Sequence, residues 1–209
     1  MYVVALLGSP RPYGNTERAL EIALKPLKDA GACCEIIHVG KETLSGCLAC
    51  GWCKRSGQFQ CINSQDPVNQ WLVKLKEADA VLLGSPVYFG GIPGPMKCFL
   101  DRAFYANSSS GGCLRMKPAA AITVARRTGN LSALDDLHHY LSYAEMPIVG
   151  SYYWNVAFGH RPGEIEEDSE GVQILTRLGE NLCHVLNMKE AFPVSPPPGE
   201  PRRNYNYIR

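Results

Sequence analysis

Short apolar runs, separated by helix-length amphipathic stretches, constrain this chain more than any other feature. Tyr2–Leu7, Cys34–Val39, Ala80–Leu83, Ala119–Val124 and Pro147–Tyr152 read as five strands. Most lack the alternating polar positions of a half-exposed antiparallel strand, which points to a parallel sheet covered on both faces. Asn15–Ala30 follows the first run, with Ala19, Leu20, Ala23, Leu24 and Leu27 at helical spacing; Pro26 is expected to kink it or end it early. Pro67–Ala78, Gly94–Tyr105, Leu131–Tyr143 and Val172–Leu186 complete five helices, with Asp66 suited to an N-cap and Pro67 to a first turn. This alternation predicts an α/β, flavodoxin-like doubly wound five-stranded parallel sheet with helices on both faces. Right-handed crossovers favour the order 2-1-3-4-5. The chain then reverses direction between strands one and three, so the loops after Leu7 and Leu83 should line a ligand site.

A chain of 209 residues can bury one sizeable core. The expected organisation is a domain over 1–190 with a Gly-, Ser- and Cys-rich insertion at about 41–66. An extended arm over 191–209 follows, in which PPPGEP falls. A formal net charge of +1 offers no electrostatic reason to expect nucleic acid or an anionic membrane as partner. No apolar run approaches the roughly 20 residues of a membrane-spanning helix. The N-terminus is apolar but short, lacks a basic leader and runs straight into a loop motif. A cytoplasmic protein without a signal peptide is therefore expected.

GSPRPYGNT, Gly8–Thr16, joins strand one to the first helix. Gly8 and Gly14 permit close backbone approach, Ser9 and Thr16 offer hydroxyls, Asn15 an amide, and Arg11 a fixed charge. The following helix N-terminus adds free N–H groups and a positive dipole end, which favour a phosphate. The loop is neither G-x-G-x-x-G nor G-x-x-x-x-G-K-[ST], which counts against a dinucleotide fingerprint or a P-loop. A plain turn with an ordinary helix start is the structural alternative. After strand three comes GSPVYFGGIPGPMKCFLDR, Gly84–Arg102. A flat isoalloxazine ring needs backbone polar groups along its edge and apolar contact on its face. Ser85, Pro86, Val87, Tyr88, Phe89 and Gly90 offer both; the alternative is a Gly/Pro-rich turn whose aromatics fill core. A third loop after strand four, VARRTGN, brings Ala125, Arg126 and Gly129.

GSPR-x-x-GNT and SPVYFGGIPG-x-MK-x-FLDR resemble the phosphate loop and the flavin-ring loop of the flavodoxin-like NAD(P)H-dependent FMN reductase family. The resemblance spans roughly residues 2–190, with two loops matching in the correct order. It implies an FMN-dependent oxidoreductase. Ser9, Arg11, Gly14, Asn15 and Thr16 would hold the phosphate, and Ser85–Gly90 with Ala125, Arg126 and Gly129 the ring. An Arg or N–H in the third loop would stabilise anionic reduced flavin. It also implies a homodimer or homotetramer, with Phe99, Leu100, Phe104 and Tyr105 either at that interface or packed on the sheet. NAD(P)H or a ferredoxin-like protein is the expected donor, and a small molecule or a protein the acceptor.

Nine cysteines in a cytosolic chain argue against a disulfide framework. Five are scattered, but Cys47, Cys50, Cys53 and Cys61 form C-x2-C-x2-C-x7-C. Two-residue gaps let three thiolates converge, and a loop can bring the fourth. Such a set suits a [4Fe–4S] cluster, while tetrahedral S4 also suits zinc. Zinc more often takes two separated C-x2-C pairs, so the spacing favours iron over zinc or bare thiols. The arrangement resembles the compact cysteine motif of the iron–sulfur flavoprotein branch of the same family. His160, near Trp154, Phe158 and Arg161, is a weaker candidate for a nicotinamide or quinone pocket. His138 and His139 are adjacent on one helix and read as surface residues, and Gly163–Gly171 as an acidic helix start. Three alternatives remain: a non-enzymatic flavodoxin-like carrier, a plain FMN or quinone reductase without a cluster, and a metal-stabilised regulatory module with a vacant flavin site.

Overall fold

The computed structural model describes residues 1–198. Its sheet comprises β1 (Tyr2–Leu7), β2 (Cys33–His38), β3 (Ala80–Pro86), β4 (Ala119–Ala125) and β5 (Val156–Phe158). All pairings are parallel and the order is β2-β1-β3-β4-β5, as expected. The helices are α1 (Asn15–Asp29), α2 (Trp52–Ser56), α3 (Val68–Glu77), α4 (Gly94–Ser109), α5 (Asn130–Tyr143) and α6 (Ser169–Ala191). Among the described residues no helix is long and apolar enough to cross a membrane.

The continuous apolar runs follow from burial on both faces. Val3, Ala5 and Leu7 of β1, with Ala80, Leu82, Ala120 and Ile122, pack with Leu20, Leu24 and Leu27 of α1 and Leu175, Leu178 and Leu182 of α6. The intervening residues Val4, Leu6, Val81, Leu83 and Ala121 pack with α3, α4 and α5 through Leu72, Phe99, Leu100 and Leu137. The period-two alternation of strand side chains thus feeds two cores. Burying one such Leu contributes about 1.5–3 kcal/mol.

Four elements differ from the sequence expectation. Pro26 does not end its helix, which continues to Asp29. Helix α6 lies so close that a Cβ on Gly179 would sit 2.0 Å from the Ala23 carbonyl oxygen and 3.1 Å from Pro26 Cδ. That packing holds α1 through the position where proline removes a hydrogen bond. The fifth strand is Val156–Phe158, not Pro147–Tyr152. Ile148 makes a single bridge to Ala119. The Ser151 hydroxyl then meets the Tyr153 carbonyl and the Asn155 amide oxygen at 2.7 and 3.0 Å, turning the chain before it can pair. Only after Asn155 accepts from the Thr123 N–H does the backbone align with β4. The insertion, expected as a loop, contains the short helix α2. Helix α6 runs one residue into the expected arm; residues 193–198 carry no helix or strand, and the rest of that arm lies outside the described residues.

Candidate functional site

The switch point is visible as the last bond between β1 and β3, Gly8 N–H to the Gly84 carbonyl at 2.7 Å. Beyond it the strands' loops diverge and open a cavity of about 190 Å³. It is lined by Ser9, Arg11, Gly14, Asn15 and Thr16 from the first loop and Pro86, Val87 and Tyr88 from the second. Ala125 and Arg126 come from the third loop, and Gly159, His160 and Pro162 from the segment after β5. Ten of the fourteen residues expected to hold a flavin therefore share one cavity. Ser85, Phe89, Gly90 and Gly129 do not line it.

Helix α1 starts at Asn15 behind Gly14, and among the described residues no side chain caps it. Its first-turn N–H groups and positive dipole end therefore face the cavity beside buried Ser9 and Thr16 and the exposed Arg11 charge. This donor set fits a phosphate. The loop is held from behind: His38 Nε2 lies 2.7 Å from the Ser9 carbonyl oxygen. A Cβ on Gly40 would lie 2.3 Å from both the Gly8 and Ser9 carbonyl oxygens, so only glycine fits there.

Asn15 has a different employment from the one its position suggests. Its amide donates to the Arg161 carbonyl at 2.9 Å and accepts from Gly163 N–H at 3.0 Å and Ile165 N–H at 3.4 Å. The side chain clamps the segment after β5 onto the helix start and brings His160 into the cavity. Glu164 tightens that segment by accepting from the His160 and Arg161 N–H groups at 2.7 and 2.9 Å. Those bonds, from Arg161 first and then His160, hold its carboxyl below the usual carboxylate range.

The ring loop is a tight reversal. Tyr88 and Gly91 exchange both backbone hydrogen bonds, at 2.9 and 3.0 Å, while Phe89 and Gly90 take positive φ of 50° and 80°. A bulky residue in that region is strained by about 1–2 kcal/mol. The Phe89 side chain is fully exposed at the tip. Gly129, at φ 92°, backs the turn, because a Cβ there would meet Val87 Cγ1 at 2.9 Å. Ser85 is buried and donates to the Pro86 carbonyl at 2.9 Å. Of the residues weighed for a subunit interface, Phe99, Leu100 and Phe104 are buried within this chain's own core, and Tyr105 is exposed. His138 is half-buried rather than surface-exposed; burial lowers its pKa, and among the described residues Nε2 has no partner.

A second cavity lies under the insertion and is lined by Cys47, Cys50, Cys53 and Cys61 together, with Arg102 and Tyr105 of α4. All four are free thiols, Cys53 buried and Cys47 and Cys50 exposed. Ala49 and Gly51 at φ 51° and 68° curl the backbone between and after the first two. Cys61 is fixed from α3: its N–H donates to Asn69 Oδ1 at 2.8 Å, and Asn69 Nδ2 donates to its carbonyl at 2.9 Å. Among the described residues no three His, Cys, Asp or Glu side chains converge on a point that would hold a single ion. The thiols surround a shared space instead. A cubane cluster binds cysteines at separate corners, whereas tetrahedral zinc at about 2.3 Å per bond draws its sulfurs together.

Sequence reasoning passed over His38, Gly40, Gly159, Pro162, Asn69 and Asp66's ionic role. His38, Gly40, Gly159 and Asp66 act on segments distant in sequence, Asp66 on Arg102 of α4, whereas Asn69 holds Cys61 from eight residues away; only Gly40, just past the end of strand two at the loop edge of the sheet, carried a usable signal.

The family model described as NADPH-dependent FMN reductase matches residues 1–161. An iron–sulfur flavoprotein of Methanocaldococcus jannaschii is 31% identical over 199 residues, covering 90% of this chain and 98% of that protein. Among solved structures, RosB, with 8-demethyl-8-formylriboflavin-5′-phosphate bound, superposes with a TM-score of 0.70 at 16% identity, covering 100% of this chain and 93% of that one. A WrbA-like flavodoxin from Agrobacterium tumefaciens superposes with a TM-score of 0.57 at 21% identity, covering 90% and 97%. At such identities these two likenesses speak for the fold alone.

Proposed function

The chain belongs to the NADPH-dependent FMN reductase family, on its iron–sulfur flavoprotein branch, and on that premise we propose how its two cavities divide the work. The protein is an FMN-dependent oxidoreductase. In the proposed reading, electrons pass between NAD(P)H, or a reduced ferredoxin-like protein, and a small-molecule or protein acceptor. They travel through FMN in the first cavity and a [4Fe–4S] cluster on Cys47, Cys50, Cys53 and Cys61. Bound FMN supplies both two-electron hydride chemistry and one-electron transfer, which is why it suits a role between those donors and acceptors.

The chain's own residues place and tune. The α1 N-terminus, Ser9, Thr16 and Arg11 hold the phosphate; Pro86–Tyr88 and Ala125 pack the ring; Arg126 supplies positive charge favouring the reduced, more negative flavin. Asn15 and Glu164 keep the segment bearing His160 closed over the site. Ser85, Phe89, Gly90 and Gly129 shape the ring loop from outside the cavity. Residues 1–190 form the working domain in this reading, with 41–66 as the cluster-bearing insertion, and a homodimer or homotetramer is the proposed assembly.

The observation that carries the proposal is that α4 follows directly on the loop that lines the first cavity and itself lines the second. It begins where the ring loop ends and presents Arg102 and Tyr105 to the cysteines. From Gly94 to Arg102 is eight residues, or about 12 Å along the axis. Anaerobic purification with an absorption spectrum and iron, zinc and flavin quantitation tests it. One FMN and four irons per chain are expected, with iron lost and flavin kept when Cys53 or Cys61 is changed to Ser. Yellow protein without iron sinks the cluster while leaving the flavin; zinc in its place does the same.

A further inference from the structure

Arg102 is the charged side chain most deeply buried in the described structure, with 3% of its surface exposed, and flavin binding makes no use of it. Its guanidinium forms a two-pronged ion pair with Asp66, at 2.5 Å from Nη1 and 3.0 Å from Nη2. The same fork donates from Nε to Cys61 Sγ at 3.4 Å, and from Nη1 and Nη2 to the Ser45 and Asn63 carbonyls at 3.5 and 3.4 Å. A guanidinium keeps its charge in any protein environment, and both oxygens of Asp66 meet it here. A structural ion pair alone needs only the two prongs to Asp66. The third donor, spent on a sulfur that lines the cysteine cavity, is what calls for a reason.

We propose that Arg102 is a positioning residue for the iron–sulfur centre: it orients Cys61 as a ligand, and its N–H···S bond and fixed positive charge raise the reduction potential of the cluster. The inference rests on the reading of Cys47, Cys50, Cys53 and Cys61 as cluster ligands. Hydrogen bonds to ligand sulfurs and local charge are the levers a protein has over such a potential. Adding one electron makes the centre more negative, and a nearby cation with an N–H on the thiolate stabilises that state more than the oxidised one. Asp66 partly offsets the charge and sets its position. Because α4 follows the ring loop, Arg102 holds the ligand from an element continuous in chain with the loop that lines the first cavity.

The test uses anaerobically reconstituted full-length protein, with iron content and redox titration followed by absorbance and electron paramagnetic resonance. Arg102→Gln, retaining its iron, is expected to change the reduced-to-oxidised ratio at fixed potential at least tenfold. For one electron this is a downward shift of about 59 mV. Asp66→Asn, which leaves the cation and removes its counter-charge, is expected to shift the potential upward. Arg102→Lys keeps charge without the planar fork and should fall between wild type and Arg102→Gln. Full iron with an unchanged potential in Arg102→Gln overturns the inference. If that variant loses its iron, Asp66→Asn decides: an upward shift supports the inference and no shift overturns it. Loss of iron from both variants reduces the pair to a scaffold for the loop and likewise overturns it. A wild-type protein that takes up no iron overturns the cluster reading itself, a result that wild type alone reveals.

Discussion

Replacing Asn15 with Ala separates two roles that the same position allows. If the side chain held the phosphate, its loss would weaken FMN binding and leave the apoprotein as stable as before. The geometry assigns it to the segment after β5, through bonds of 2.9 and 3.0 Å and a weaker third at 3.4 Å. Only 9% of the residue is exposed, so water cannot readily replace those bonds. Each strong bond contributes about 1 kcal/mol net, and the partners left unsatisfied at Arg161 and Gly163 add to the loss. The total is about 2–3 kcal/mol, which for a domain of this size lowers Tm by about 4–12 °C. Thermal melting of the flavin-free variant should show this drop, and hydrogen exchange should show faster exchange at the Gly163 and Ile165 amides. An unchanged apoprotein Tm with unchanged protection of those amides, alongside weaker FMN binding by fluorescence titration, would refute the clamp and restore the phosphate role.

Gly40→Ala drives a methyl into the backbone oxygens behind the phosphate loop; a cost of about 1–3 kcal/mol is expected, with FMN affinity at least about tenfold weaker in a titration of the apoprotein. Glu164 is held below the usual carboxylate range, so its bonds to the His160 and Arg161 amides are present above the ordinary Glu pKa. They should be lost as pH falls below about 4.3 and through the lowered folded value. Exchange protection of those two amides should fall with pH over that range, and Glu164→Gln should abolish the pH dependence. The Lys117 ammonium donates to the Leu75, Lys76 and Ala78 carbonyls at the end of α3, at 3.1, 2.5 and 2.7 Å. Lys117→Met should cost about 1–2 kcal/mol, read as a Tm lower by about 2–8 °C with FMN binding unchanged.

The fold was legible because burial on both faces writes a parallel sheet into the sequence as continuous apolar runs, and only a few topologies satisfy right-handed crossovers. Four of five strands and the helices around them follow from that pattern alone. The fifth strand failed for a local reason: Pro147–Tyr152 has the composition of a strand, but the Ser151 and Asn155 side chains turn the chain and delay pairing until Val156. Pro26 misled in the opposite sense, because its cost is local while the α6 packing that offsets it comes from more than 150 residues away.

For the site, the sequence by itself determined which loops meet, since the strand order and the reversal between β1 and β3 bring Ser9–Thr16, Pro86–Tyr88 and Ala125–Arg126 to one edge. It also determined that Cys47, Cys50 and Cys53 lie close together, because two-residue spacing leaves them little choice. Tertiary structure alone decided what each side chain does there. Asn15 came to hold the segment after β5 at the rim of the first cavity, Gly40 to support Gly8 and Ser9 from the far side of α1, and Arg102 to reach from α4 to Cys61 and Asp66. Spacing along the chain reports short-range geometry, whereas a hydrogen bond or a close approach depends on which distant backbone the fold carries past it.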